Sequence, residues 1–211
     1  MLKTTCEICN NDYTGRGMPK HLQSCLSKHL GTGTRGPNEK TYYLHVSAAY
    51  NPDYFLHLAV FGTTTLKELD SFLRDIWLEC CGHLSQFSIS GCYGTEIKMS
   101  RKIHQALKPG DTLYYEYDFG DTTALEIKAK GRFPGILQDN RNIYILARNS
   151  QPSIPCDQCG KALAEFICTE CSWDGESGWL CANCSKGHDC GEDMFLKVVN
   201  SPRTGVCVYN G

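Results

Sequence analysis

Three Cys-x-x-Cys pairs and one His-x-Cys fall within 35 residues of this chain: Cys156/Cys159, Cys168/Cys171, Cys181/Cys184 and His188/Cys190. These eight soft donors are enough for two closed tetrahedral zinc sites. A pair of thiolates spaced by two residues chelates one ion from one tight turn, and a second pair completes the set. Gly160, Gly187 and Gly191 stand beside the ligands, where such turns need them. A disulfide framework is the competing use of so many cysteines. A thioredoxin-like redox pair would need a βαβ context that the flanking pattern lacks. The eight-residue gap between Cys159 and Cys168 leaves a short loop for direct pairing. The expected arrangement is therefore interleaved: Cys156, Cys159, Cys181 and Cys184 on one ion, and Cys168, Cys171, His188 and Cys190 on the other. Cys207 is a candidate to replace Cys190 or His188.

A second ligand set opens the chain. Cys6-x2-Cys9 is followed after eleven residues by His21-x3-Cys25. Residues four apart share one face of a helix. Pro19 suits the first helical turn and Gly31 the position just past the last. Pro19 to Leu30 thus reads as a short helix facing a cysteine knuckle, and the segment resembles a zinc finger of the CCHC kind with a ββα-like layout. His29, four residues after Cys25, is a competing ligand. His21 is preferred because the gap after Cys9 then has the usual finger length. Twelve ligands in three sets of four predict three zinc ions, each in a structural site. Catalytic zinc keeps one coordination position for water, and neither His-Glu-x-x-His nor a deaminase-type His-x-Glu occurs.

The chain has 211 residues, 41% hydrophobic and 21% charged, with a formal net charge of −2. The charge is uneven. Residues 1–40 carry six Lys/Arg against three Asp/Glu, residues 41–148 eleven against twelve, and residues 149–211 four against eight. A four-thiolate site around Zn2+ is itself a dianion, so the last segment is a poor holder of phosphates and the basic finger a better one. Fourteen cysteines, no secretory apolar segment after Met1 and no apolar run of the roughly 18 residues that a span requires predict a metal-binding protein of a reducing cytoplasm.

Breaker-rich stretches divide the chain. Gly31, Gly33, Gly36 and Pro37 mark a flexible linker, and Asn149 to Pro155 marks a second boundary. The expected organisation is a finger over 1–30, a linker over 31–40, a core over 41–150 and a double-zinc unit over 151–211. In the core, Thr41–Tyr50 and Tyr54–Phe61 read as strands joined at Asn51-Pro52-Asp53. Thr64 and Thr65 cap a helix whose Leu66, Leu69, Phe72, Leu73, Ile76 and Trp77 recur with a helical period, ending at Gly82. Gln86–Ser90, Leu113–Tyr117, Ala124–Lys130 and Asn142–Arg148 supply further strands. This order predicts an α+β core: a β-grasp-like mixed sheet with one main helix, between small zinc-stabilised units.

Three stretches of the core carry a likeness: Leu66-Lys67-Glu68-Leu69, His83-Leu84-Ser85-Gln86-Phe87, and Tyr115-Glu116-Tyr117-Asp118-Phe119-Gly120-Asp121. Through them, residues 41 to about 131 resemble the plasmid pRiA4b ORF-three-like domain of bacteria and archaea. Family members often have Trp-Arg on the second strand, where this chain has Phe55-Leu56-His57-Leu58. Many also follow the aspartate with Trp and His, where Thr122 and Thr123 stand here. The resemblance implies an α+β domain sometimes linked to mobile elements, and no settled activity. The C-terminal unit resembles cross-brace zinc domains of the MYND or B-box style in ligand spacing.

Asp118 and Asp121, with His83, are the candidate acid–base or cation site. The alternative is a hairpin turn in which Gly120 supplies positive φ. The Asp-Phe-Gly string lacks every other kinase motif. Cys80 and Cys81, neighbours at a helix end, diverge by about 100° on a helix and are expected to pack rather than share an ion. The expected function is that of a non-enzymatic, zinc-binding interaction protein with a protein partner. Nucleic-acid binding through Arg16, Lys20 and Lys28 of the finger is the alternative, and a hydrolase using the core carboxylates is the second alternative.

Overall fold

The computed structural model describes residues 3–31, 39–135, 137, 141–176 and 178–211. It divides into two compact units, residues 1–73 with 84–150 and residues 74–83 with 151–211. Most of the linker expected over 31–40 lies outside the described residues. Among the described residues, no helix is long and apolar enough to cross a membrane.

The first unit begins with a ββα finger. Strand β1 (Lys3–Thr5) pairs antiparallel with β2 (Asp12–Thr14), and helix α1 (Met18–His29) follows with Pro19 in its first turn. The core elements are β3 (Lys40–Ala48), β4 (Phe55–Phe61), α2 (Leu66–Leu73), β5 (Ser85–Ile89), β6 (Thr95–Ile97), α3 (Ile103–Ala106), β7 (Thr112–Tyr117), β8 (Thr123–Pro134) and β9 (Ile143–Arg148). The seven strands form one sheet in the order β6-β5-β7-β8-β3-β4-β9. The α+β class stands. Every ladder of this sheet is antiparallel rather than mixed, because β3–β4, β5–β6 and β7–β8 are hairpins that need no crossover. The short β6 and α3 carry too few periodic residues to have been predicted.

Helix α2 starts at a capping box. Thr65 N–H and Oγ1 both donate to Glu68 Oε2, at 2.8 and 2.7 Å, and Glu68 N–H donates back to Thr65 Oγ1 at 3.2 Å. Leu66, Leu69 and Leu73 are its buried stripe.

The finger shares its core with the sheet. Met18, Leu22 and Leu26, one helical turn apart, are fully buried, and together with Cys6 and Cys25 they join Tyr43, Ala59, Phe61, Tyr144, Leu146 and Ala147 in a single apolar cluster. Glu7 N–H donates to the Leu146 carbonyl at 2.9 Å, so the finger also covers part of the outer edge of β9, whose groups would otherwise be open to pairing.

The second unit opens with a π-helical turn, Arg74–Leu78, in which Trp77 and Leu78 are buried. Its 151–211 part holds β10 (Phe166–Cys168), α4 (Thr169–Trp173), β11 (Trp179–Leu180) and β12 (Phe195–Lys197), with the small antiparallel sheet ordered β11-β10-β12.

Candidate metal centres

Among the described residues, four Cys/His groups can hold a metal ion, each with its four donor atoms within 4.8 Å of one another. Four thiolates about 2.3 Å from one ion stand about 3.8 Å apart, whereas bonded sulfurs lie about 2.05 Å apart. The distances in these groups follow the first pattern, and none of the fourteen cysteines is in a disulfide.

The finger group is Cys6, Cys9, His21 and Cys25. Cys6 follows β1, and a tight turn returns the chain: Asn10 N–H donates to the Cys6 carbonyl at 2.8 Å, with Asn10 at φ 56. Cys6 Sγ and Cys25 Sγ are 4.0 Å apart, and Cys9 Sγ is 3.3 Å from His21 Nε2. Tyr13 stacks on the His21 ring at 3.7 Å and 16°, which fixes its plane. Asn11 Nδ2 donates to Cys9 Sγ at 3.5 Å. His29, the competing ligand, is outside the four-donor group; its Nδ1 lies 2.9 Å from the Cys25 carbonyl oxygen and 3.6 Å from Cys25 Sγ. Burial and the neighbouring Cys6 push the Cys25 thiol up to about 12.

The second unit brings the interleaved sets together. Asp157 N–H donates to the Trp179 carbonyl at 2.8 Å, and Trp179 N–H donates to Asp157 Oδ2 at 2.6 Å. These two bonds clamp the Cys156–Cys159 knuckle onto β11, directly before Cys181. Cys156, Cys159, Cys181 and Cys184 thus form one group, with Cys159 Sγ 3.9 Å from Cys181 Sγ. Burial raises the Cys156 thiol, but backbone N–H groups of Cys181, Cys159 and Gln158 outweigh it and bring it down to about 6.

The other group is Cys168, Cys171, His188 and Cys190. Cys171 Sγ lies 3.3 Å from His188 Nε2 and 3.7 Å from Cys190 Sγ. Cys168 ends β10, and its N–H donates to the Gly178 carbonyl at 2.9 Å. Gly178 is at φ +71, and a Cβ there would come within 2.7 Å of the Cys168 carbonyl oxygen, so this close return of the chain requires glycine.

Cys207 does not replace Cys190 or His188. It forms the fourth group with Cys80, Cys81 and His83, all in the second unit. The expectation that Cys80 and Cys81 merely pack is corrected with it. The π turn ends at Leu78, so both cysteines lie past the helix and its 100° rotation does not separate them. Cys81 is exposed and Cys80 half-buried. The adjacency of the two cysteines was the signal, and only the fold could supply their distant partner.

The core carboxylates take the turn reading. Asp118 sits between β7 and β8 and accepts from Gly120 N–H at 3.0 Å. The positive φ falls on Asp118, at 66, and not on Gly120. The structure places His83 with cysteines.

No family model and no curated protein matches the chain. Among solved structures, it is similar to a protein of unknown function, MM3350, from Methanosarcina mazei Go1, with 17% identity and a TM-score of 0.43, covering 52% of this chain and 67% of that one.

Proposed function

We propose that this chain is a non-enzymatic zinc protein that binds a protein partner, with its zinc ions in structural roles. Cys6, Cys9, His21 and Cys25, then Cys156, Cys159, Cys181 and Cys184, then Cys168, Cys171, His188 and Cys190 would hold three ions. Four protein donors per set leave no coordination position for water or substrate. Zinc in such sets supplies folding free energy, about 10–16 kcal/mol apparent in finger peptides.

The observation that carries the partner reading is Trp173. It ends α4, two residues after the ligand Cys171, and is 87% exposed. Met194, 39% exposed, borders the same shallow surface with Glu170 and Asp174. Exposed tryptophan is a costly surface residue and a common anchor of protein interfaces. The acidic flank suits a partner with basic residues around an apolar pocket. The nucleic-acid alternative keeps one favourable observation, since Arg16, Lys20 and Lys28 are all exposed on the finger.

The test is capture of partners by metal-loaded protein, with and without nuclease, beside Trp173→Ala. A partner retained after nuclease and lost in the variant supports the reading. Capture that vanishes with nuclease and ignores the variant overturns it and moves the function to the finger.

A further inference from the structure

We propose that Cys80, Cys81, His83 and Cys207 form a fourth zinc site, which fastens the 74–83 segment to the turns at 199–209 and exchanges its ion faster than the other three sites. Three thiolates and one imidazole are a usual structural zinc set. Cys207 Sγ lies 3.7 Å from Cys81 Sγ and 3.7 Å from His83 Nε2. The sulfur separation matches the roughly 3.8 Å edge of a zinc tetrahedron and is far beyond the roughly 2.05 Å of a disulfide.

Hydrogen bonds within the chain brace both halves of the site. On one side, Glu79 N–H donates to the Arg74 carbonyl at 3.0 Å, closing the wide π turn. The Arg74 guanidinium then donates to the Glu79 carboxylate at 2.8 Å and to the His83 carbonyl at 2.7 Å. Gly82 N–H donates to Glu79 Oε1 at 2.6 Å. The loop carrying three donors is thus braced from within.

On the other side, consecutive turns carry Cys207. Thr204 N–H reaches the Ser201 carbonyl, Val206 N–H the Arg203 carbonyl and Tyr209 N–H the Val206 carbonyl, at 3.2, 3.0 and 3.2 Å. Ser201 Oγ donates to the Trp77 carbonyl at 2.6 Å, and Ser201, Arg203 and Trp77 are all buried. Cys207 itself is at φ 55. A cysteine holds that conformation only where its surroundings impose it, and such strain concentrates at functional positions.

The ion would join residues 126 apart in sequence, so it closes a long loop and constrains the unfolded chain strongly. Its accessibility sets it apart. The other three groups contain buried cysteines, namely Cys6 and Cys25, Cys156 and Cys181, and Cys168. Here Cys81 is exposed and Cys80 and Cys207 are half-buried. A competing chelator therefore reaches this ion first. The site stands independently of the partner reading.

The experiment uses the full chain, expressed with added zinc and purified without chelator, in native mass spectrometry and elemental analysis. Wild type is expected to carry four zinc ions. A colorimetric chelator such as 4-(2-pyridylazo)resorcinol should take one ion in a fast phase and leave three. Cys207→Ser and Cys81→Ser should each carry three ions and lack the fast phase. Cys207→His, which restores a donor, should recover the fourth ion. If Cys207→Ser fails to fold, the exposed-site variant Cys81→Ser and the wild-type fast phase still decide. Three ions in wild type, with Cys80, Cys81 and Cys207 alkylated at once, would overturn the proposal. So would four ions retained in both serine variants, or a disulfide among these cysteines in freshly purified protein.

Discussion

Replacing Leu22 by Ala tests whether the finger is an integral part of the first unit or a bead on a linker. Leu22 is fully buried on α1, between Met18 and Leu26, and faces the cluster that includes Tyr43, Phe61 and Tyr144. Burying one such side chain contributes about 1.5–3 kcal/mol, so the three together contribute of the order of 5–9 kcal/mol, an upper bound because unfolded chains already bury some apolar surface. That is comparable with the whole stability of a typical domain, about 5–15 kcal/mol. Truncating one leucine inside such a cluster costs about 2–5 kcal/mol. The loss should fall on the sheet as well as on the finger.

The optics separate the units. Trp77, Trp173 and Trp179 all belong to the second unit, and every tyrosine except Tyr209 belongs to the first. Tyrosine fluorescence in a denaturant series should show an earlier transition for Leu22→Ala, while tryptophan emission keeps its midpoint. Amide exchange resolves the location. Protection in β4 and β9 should drop by roughly 30-fold to several thousand-fold, since about 1.4 kcal/mol is a factor of ten. Unchanged protection in β4 and β9, with exchange accelerated in α1 alone, would refute the shared core.

Other outcomes follow from the sites. Elemental analysis should give at least three zinc ions per chain; a value of two would remove the finger site or break the interleaved pairing, and iron with visible absorption would remove zinc. Cys168→Ser, which deletes a buried ligand, should shift Trp179 emission to the red and leave tyrosine-detected unfolding of the first unit in place. His57 is held down to about 3 by burial, with help from His45 and Lys130, and His45 to about 4 by burial and Lys130. Unfolded histidines protonate near 6.5, so the first unit should lose stability as pH falls from about 6.5 toward 4, by up to about 1.4 kcal/mol per pH unit for each ring. The direct check is NMR of the two rings, which should stay neutral at pH 5; midpoints near 6.5 would contradict the assignment. Any nucleic-acid binding by the finger should show a logarithmic salt slope of roughly −2 to −3, flattened when Arg16, Lys20 and Lys28 become Ala; a much steeper slope would require a cationic surface beyond these three.

The legible parts of this chain are those whose geometry is set within a few residues. A Cys-x-x-Cys turn creates half a metal site locally, so Cys156/Cys159 and Cys181/Cys184 could be read as ligands from spacing alone. Their mutual pairing depends on one contact, the Asp157–Trp179 clamp, and loop length was enough to suggest it. The hairpin of β3 and β4 was legible through alternation and the Asn51-Pro52-Asp53 turn. The α2 start was legible through Thr65 and Glu68. Asp118 shows the limit of turn chemistry: the residue set named a turn correctly, but which residue takes positive φ depends on how the strands enter it.

What stayed illegible is non-local, and it has one physical cause. Leu22 and Leu26 read as the inner face of a small finger, which would need them for its own core. Only the apolar face of β3, β4 and β9 that they pack against decides that they serve the sheet as well. Cys207 stands far from any partner in sequence, and Cys80 and Cys81 look like helix positions that diverge. A π turn ending at Leu78 releases the two cysteines from helical geometry, and the Ser201–Trp77 bond brings the distant turns beside them. Ligand spacing thus encodes sites closed by one turn, whereas a site closed by tertiary contacts is encoded in the packing around it. For this chain the difference is chemical as well as geometric. The groups closed by local turns contain buried cysteines, and the one closed at a distance leaves Cys81 facing solvent, where the proposed ion is the first that a competing ligand can reach.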